Sequence, residues 1–198
     1  MGICSALAAV IIKPSVLTVL LLAFAVYGFP LGAFRLLNLL FPVREGFSQI
    51  DEKRYSPWWG GHQIQAIYIA IPQLEAVLRL IPGAFSLWLR MWGSRVGASV
   101  YWTPRVDIVD RNLLDIGDRV VFGDKVECFG HIIKPKHGRL LLYVKRIHIG
   151  HGVFIGAGSR IGPGVRIADD AYVPVLRVLF PNQTVRKEQA PVEIPDAV

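Results

Sequence analysis

Along residues 149–173 an aliphatic side chain returns at every sixth position: Ile149, Ile155, Ile161, Ile167 and Val173. A small residue or proline follows each of them, and a second inward set, Val153, Ser159, Val165 and Ala171, comes four positions on. Neither the helical period of about 3.6 nor the strand period of 2 generates that spacing. A flat strand-and-turn unit of six residues, three units to a triangular coil, does. The pattern therefore predicts a parallel β-helix in which each aliphatic residue stacks on the one eighteen positions later. The residue after each aliphatic one is expected at a sharp corner, where glycine tolerates positive φ.

The same period runs upstream in weaker letters. Ile116 and Phe122 open two hexads that lead to Cys128, and an earlier run passes from Val96 through Trp102 and Ile108 to Leu114. A two-residue shift separates that earlier run from Ile116. The period fails between Phe129 and His148, a stretch long enough to be a loop thrown out of the coil. After Val173 it lapses again, with Pro174–Pro181 finishing a last coil.

The N-terminal end has another character. Ser15–Phe34 carries no charge and is long enough to cross a hydrocarbon core. Residues 1–42 are expected to form a membrane anchor, with a cleaved signal or a re-entrant hairpin as the rival readings. Arg35, Arg44, Lys53 and Arg54 follow the apolar run against Lys13 before it, which puts the C-terminal domain on the cytoplasmic face. Residues 43–95 are expected to be a polar connector, with Trp58-Trp59 at a membrane interface or packed against the domain, followed by short amphipathic helices that lie on the membrane surface and plug the first coil, core helices of a soluble domain being the rival reading. In these, Leu74, Val77, Leu78 and Ile81 share one face, with Glu75 and Arg79 on another. Residues 96–180 are assigned to the β-helix and 181–198 to an irregular tail, giving a mainly β protein preceded by N-terminal membrane and amphipathic helices.

Composition sharpens this outline. The 198 residues are 53% hydrophobic, the excess lying at the N-terminal end, and the formal net charge is +7. No nucleic-acid motif accompanies the basic residues, so anionic lipid headgroups or a phosphorylated co-substrate suit the charge better than nucleic acid. Two cysteines, Cys4 and Cys128, do not make a disulfide framework, and Cys128 at an inward hexad position is read as a small buried hydrophobe.

From Val96 to Val173 the chain resembles the hexapeptide-repeat acyltransferases, whose fold is a left-handed parallel β-helix. The handedness comes from this resemblance, not from the period. Gly93-Ser-Arg-Val-Gly97 followed by Asp110-Arg-Asn-Leu-Leu-Asp-Ile-Gly-Asp118 is similar to the first coils of a membrane-associated branch. That branch includes the terminal acyl-transferring domains of some peptide synthetases. The resemblance implies transfer of an acyl group, acetyl by preference, from a thioester to a hydroxyl or amine. The donor would be acyl-CoA or an acyl carrier protein, no permanent cofactor or metal would be held, and the site would lie in a cleft between subunits of a homotrimer.

Such a reaction needs a base for the acceptor's proton and donors for the developing oxyanion. Histidine is the natural base near neutral pH, and the chain has His62, His131, His137, His148 and His151. In the resembling branch the base is the histidine at the start of the protruding loop, which corresponds to His131; His137 in the same loop is second. Asp110 and Glu127 are the candidates to orient the imidazole, against the plainer readings of turn former and outward strand residue. Lys145 and Arg146 belong to a basic stretch suited to the donor's phosphates, and backbone N–H groups at Gly156 and Gly158 would contact the pantetheine arm, as is usual for the family. Membrane attachment points to a lipid or other hydrophobic acceptor. Two alternatives stay open: a non-catalytic membrane-bound scaffold, and a γ-carbonic-anhydrase-like metalloenzyme, for which the spacings His131 to His137 and His148 to His151 are one too long and one too short.

Overall fold

A computed structural model describes residues 3–12, 15–50, 55–136 and 138–187. The chain divides into two compact units, one comprising Met1–Val43 with Tyr55–Ala66, the other Arg44–Arg54 with Ile67–Val198.

In the first unit, α1 (Ile3–Ile12) precedes α2 (Val16–Ala23), a π-helical turn (Phe24–Gly28) and α3 (Phe29–Leu40). Ser15 caps α2 by accepting from the Thr18 N–H at 3.2 Å. The π turn lies just before Pro30, which has no N–H to give the helix ladder. Val16–Leu40 is thus one helix of 25 residues, long and apolar enough to cross a membrane. It runs further than the expected Ser15–Phe34. α1 contacts both α2 and the π turn, so it doubles back along the longer helix.

In the second unit, three parallel ladders form the faces of a β-helix. One contains β2 (Arg95–Val96), β5 (Leu114–Ile116), β10 (Ile147–Ile149), β13 (Arg166–Ile167) and β16 (Thr184–Val185). The second holds β3 (Tyr101–Trp102), β6 (Val121–Phe122), β11 (Phe154–Ile155) and β14 (Tyr172–Val173), and the third β4 (Asp107–Ile108), β7 (Glu127–Cys128), β12 (Arg160–Ile161) and β15 (Val178–Leu179). Both predicted inward sets are buried, Ser159 included; its Oγ donates to the Pro174 carbonyl. Trp102 and Phe122 stack inside the first coils with centroids 4.4 Å apart.

Register shows where the coil is interrupted. From Ile149 onward the strands pair eighteen residues apart, Ile149 with Ile167 and Ile161 with Leu179. In the first turn the step is twenty, Val96 with Ile116 and Ile108 with Cys128. In the next it is thirty-three, Ile116 with Ile149 and Cys128 with Ile161. Two residues are therefore added between Ile108 and Ile116, and fifteen between Cys128 and Ile149. Both insertions leave the third ladder and rejoin the first, so they stack at the same corner. The longer one is a hairpin, β8 (His131–Lys136) and β9 (Arg139–Val144), rather than an irregular loop.

Three expectations are corrected here. The stretch read as connector contains β1 (Gly46–Ile50), which pairs antiparallel with β9 and extends the hairpin to three strands. The coil does not stop at 180, because Leu179 is buried and Thr184–Val185 pairs with Arg166–Ile167; the inward period continues where prolines obscure it. The positive φ values fall three residues after the aliphatic position, at Gly152, Gly158, Gly164, Asp170, Leu176 and Asn182, not one residue after it. The glycine next to the aliphatic residue answers close approach instead: a Cβ on Gly156 would lie 2.4 Å from the Val175 nitrogen.

Three helices precede the first coil: α4 (Pro57–Ala70), α5 (Gln73–Arg79) and α6 (Ala84–Trp92). α6 buries Phe85, Trp88, Leu89 and Trp92, as its spacing predicts. α5 keeps the two faces that its spacing predicts, with the charged one turned inward. Glu75 is buried, whereas Val77, Leu80 and Ile81 are exposed.

Candidate active site

The two stacked insertions build one site. The short insertion turns at Asp110, whose carbonyl accepts from the Leu113 N–H at 3.1 Å, and this turn carries Asp110 and Arg111 into the interior. Directly above, the hairpin leaves the coil at Gly130-His131. Asp110 Oδ2 accepts the Gly130 N–H at 2.7 Å and lies 2.7 Å from His131 Nδ1. The Asp110 side chain is 1% exposed and that of His131 17%. A Cβ on Gly130 would meet the Leu113 side chain at 2.7 Å, so the absence of a side chain there is what lets the insertions close together.

An ionised aspartate only accepts hydrogen bonds. Its contact at Nδ1 therefore places the imidazole proton on Nδ1 and the lone pair on Nε2, the arrangement of a general base held by a carboxylate.

Behind this pair lies a second, fully internal layer. Arg111 donates from Nε to Glu75 Oε1 at 2.6 Å and from Nη2 to Glu75 Oε2 at 2.9 Å. Glu75 Oε1 also accepts from Trp88 Nε1 at 2.9 Å. The Arg111 guanidinium sits 5.1 Å from the centre of the Tyr68 ring, and the Arg111 carbonyl accepts from Ser94 Oγ at 2.7 Å. Arg79 adds a second cation, its Nη2 3.8 Å from Glu75 Oε2. Burial pushes the Arg79 guanidinium down to about 10, with Glu75 opposing the shift.

Of the residues singled out in the sequence, Asp110 and His131 are brought together, and His137 lies outside the described residues. Glu127 is not joined to them. It points outward from β7 and accepts from Arg160 Nε at 2.5 Å. Lys145 reaches Asn182 Oδ1 at 2.9 Å, and Arg146 donates to the Leu114 carbonyl at 2.8 Å, so both tie the hairpin's return strand to the coil. The N–H groups of Gly156 and Gly158 do not project for a ligand: they donate to the carbonyls of Val173 and Asp124, each at 2.8 Å. The parallel ladder consumes them. His148, on the middle strand β10 of the first ladder, and His151, in the turn after it, lie near Asp115 and Asp118 respectively, each 3.3 Å away. The Asp118 carboxylate is held below its usual range mainly by the Ala98 N–H. Burial raises the Cys128 thiol well above its ordinary value, in keeping with a packing role.

Glu75, Arg111 and Trp88 were not anticipated. The available signal was the two-residue slip in the hexad period together with a charged i, i+4 pair inside an apolar helix.

No protein-family model matches the chain, and no curated protein matches it. Among solved structures the fold is similar to a hexapeptide-repeat-containing acetyltransferase from Vibrio cholerae, at 20% identity and TM-score 0.49, covering 63% of this chain and 84% of that one. A maltose O-acetyltransferase from Clostridium difficile 630 aligns at 17% identity and TM-score 0.41, over 57% of this chain and 74% of that one. A galactoside acetyltransferase in complex with coenzyme A aligns at 16% identity and TM-score 0.36, over 58% and 74%.

Proposed function

We propose that this protein is a membrane-anchored acyltransferase of the hexapeptide-repeat type, with a left-handed β-helix and His131 as general base. The observation that carries the reading is the His131 Nδ1 to Asp110 Oδ2 contact of 2.7 Å at the root of the hairpin. His131 Nε2 takes the proton of an acceptor hydroxyl or amine as that atom attacks the carbonyl carbon of an acyl thioester. The tetrahedral oxyanion collapses, the carbon–sulfur bond breaks, and the leaving thiolate recovers the proton from the imidazolium.

The donor is acyl-CoA or an acyl carrier protein, and no cofactor is held permanently. Exposed Lys134, Lys136 and Arg139 on the hairpin give it a cationic surface suited to phosphates. Val16–Leu40 spans the bilayer, with the β-helix on the cytoplasmic side by the excess of basic residues that follow the apolar run. The acceptor is accordingly a lipid or another hydrophobic molecule, and the β-helix assembles as a trimer.

The deciding experiment uses detergent-purified wild type and His131→Ala with acyl-CoA, with and without total lipid extract. Lipid-dependent CoA release lost in the variant supports the assignment. Release that persists in the variant removes His131 as the base, and the absence of turnover with both CoA and carrier-protein donors removes the enzyme reading.

A further inference from the structure

A cavity of about 360 Å³ lies between the helices α5 and α6 and the first coil, and the proposed chemistry makes no use of it. Its lining includes Arg79, Leu80, Ile81, Gly83, Phe85 and Trp102. The side chain of Arg79 is 2% exposed, yet a guanidinium offers five N–H donors and this one is poorly supplied. Nη1 donates to the Pro104 carbonyl at 3.1 Å, and Nε has no hydrogen-bond partner. The carboxylate nearest to it, Glu75, is 3.8 Å away and already engaged at both oxygens by Arg111. Two buried guanidiniums thus share one contacting glutamate, with Asp107 acting on them only through space, and a buried cation short of partners is costly unless an anion completes it.

Two further features favour an anion. α6 starts at Gly83, which supplies no side-chain cap, and its first turn carries no acidic residue, so the positive end of its dipole, with Gly83, Phe85 and Ser86 in the cavity lining, is offset only by the Ala84 N–H to Ile81 carbonyl bond at 3.1 Å. The guanidinium lies 4.0 Å over the Phe85 ring, which also lines the cavity. The rim itself is apolar. Leu80 is 72% exposed, and Ile81 and Val77 stand out beside it.

We propose that this cavity binds the anionic head of an amphiphile, a carboxylate or phosphate seated against Arg79, with its hydrocarbon chain over Leu80 and Ile81. The assignment does not depend on the acyltransferase reading. It gives the end of α5 and the two residues after it a purpose: Arg79 faces the head group, and Leu80 and Ile81 face the chain.

Trp102 in the cavity wall provides the readout. Full-length protein in detergent is titrated with dibromostearate, with dibrominated phosphatidic acid, and with a dibrominated stearyl alcohol as the neutral control. Quenching of the Trp102 signal, defined by its loss in Trp102→Phe, is expected from an acid at a concentration about tenfold below the alcohol, as one charge-assisted hydrogen bond would give. Arg79→Gln should erase that difference. Because Arg79→Gln could also disturb folding, Ile81→Asp at the exposed rim is the second test and should weaken the acids selectively. Whichever acid quenches at the lower concentration distinguishes a free carboxylate from a lipid phosphate. Equal quenching by acid and alcohol, or acid quenching unchanged in Ile81→Asp, overturns the site, as does the absence of Trp102 quenching.

Discussion

Glu75 holds Arg111 through both carboxylate oxygens, at 2.6 and 2.9 Å, although thirty-six residues separate them. The helix before the coil is thereby fastened to the residue that follows Asp110. The pair is buried and closed by Trp88, so breaking it on one side leaves a charge with no water to answer it. Glu75→Gln is expected to lower stability by ~3–5 kcal/mol, and the combined replacement Glu75→Leu, Arg79→Met and Arg111→Met, which removes both cations with their shared anion, to recover much of that loss. Denaturant titration of the three proteins checks it.

The carboxylate at His131 has a separable role in the proposed reaction. Asp110→Asn keeps one oxygen for both the Gly130 N–H and the Nδ1–H, but its neutral amide no longer stabilises the imidazolium that forms when Nε2 takes the proton. Turnover should fall by about 10²-fold or more, with thermal stability changed far less than in Glu75→Gln. His131→Ala should cost ~10²–10⁴-fold in turnover, and the two losses should not add when combined. Steady-state rates of acyl-CoA cleavage measure both.

At the turn between β14 and β15, Leu176 adopts a φ of 57° while 77% exposed. A left-handed backbone is strained for a leucine, and its side chain recovers little packing there. Leu176→Gly is expected to stabilise the coil by ~0.5–1 kcal/mol, net of the entropy glycine loses, and to raise Tm by a few degrees. A melting curve decides the sign.

Asp107 gives a pH-dependent test. Burial raises its carboxyl above the ordinary 3.8, outweighing the attraction of Arg111. The native state then binds the proton more tightly than the unfolded chain, so this group's contribution is fully favourable below pH 3.8 and is lost as pH rises through the native value. Asp107→Asn should be more stable than wild type at pH 7 and show no gain at pH 3. Paired melts at the two pH values check this.

The regular part of this chain was legible because a period of six has one structural meaning, and it located the interior from Ile149 to Val173 residue by residue. The site was legible only in outline. The slip before Ile116 and the gap after Cys128 mark where the chain departs from the repeat, but a one-dimensional period cannot say that both departures emerge at the same corner. Pairing Asp110 with Gly130-His131 requires the third dimension. α5 was legible in part for a related reason: helical spacing separates two faces without saying which one is inside, and a bidentate partner thirty-six residues away turns the charged face inward. Gly156 and Gly158 misled because donors that look available in sequence are spent on the next coil.

From Ile149 to Val185 the register never slips, and every strand step there is the same eighteen residues. The chemistry proposed at Asp110 and His131 sits wholly within the irregular coils that come before. Coil number is thus an independent dimension of the molecule. A further eighteen-residue turn could be added beyond Val185 as a unit, changing the length of the prism as a column is changed by one drum, without redrawing the corner on which the two insertions meet.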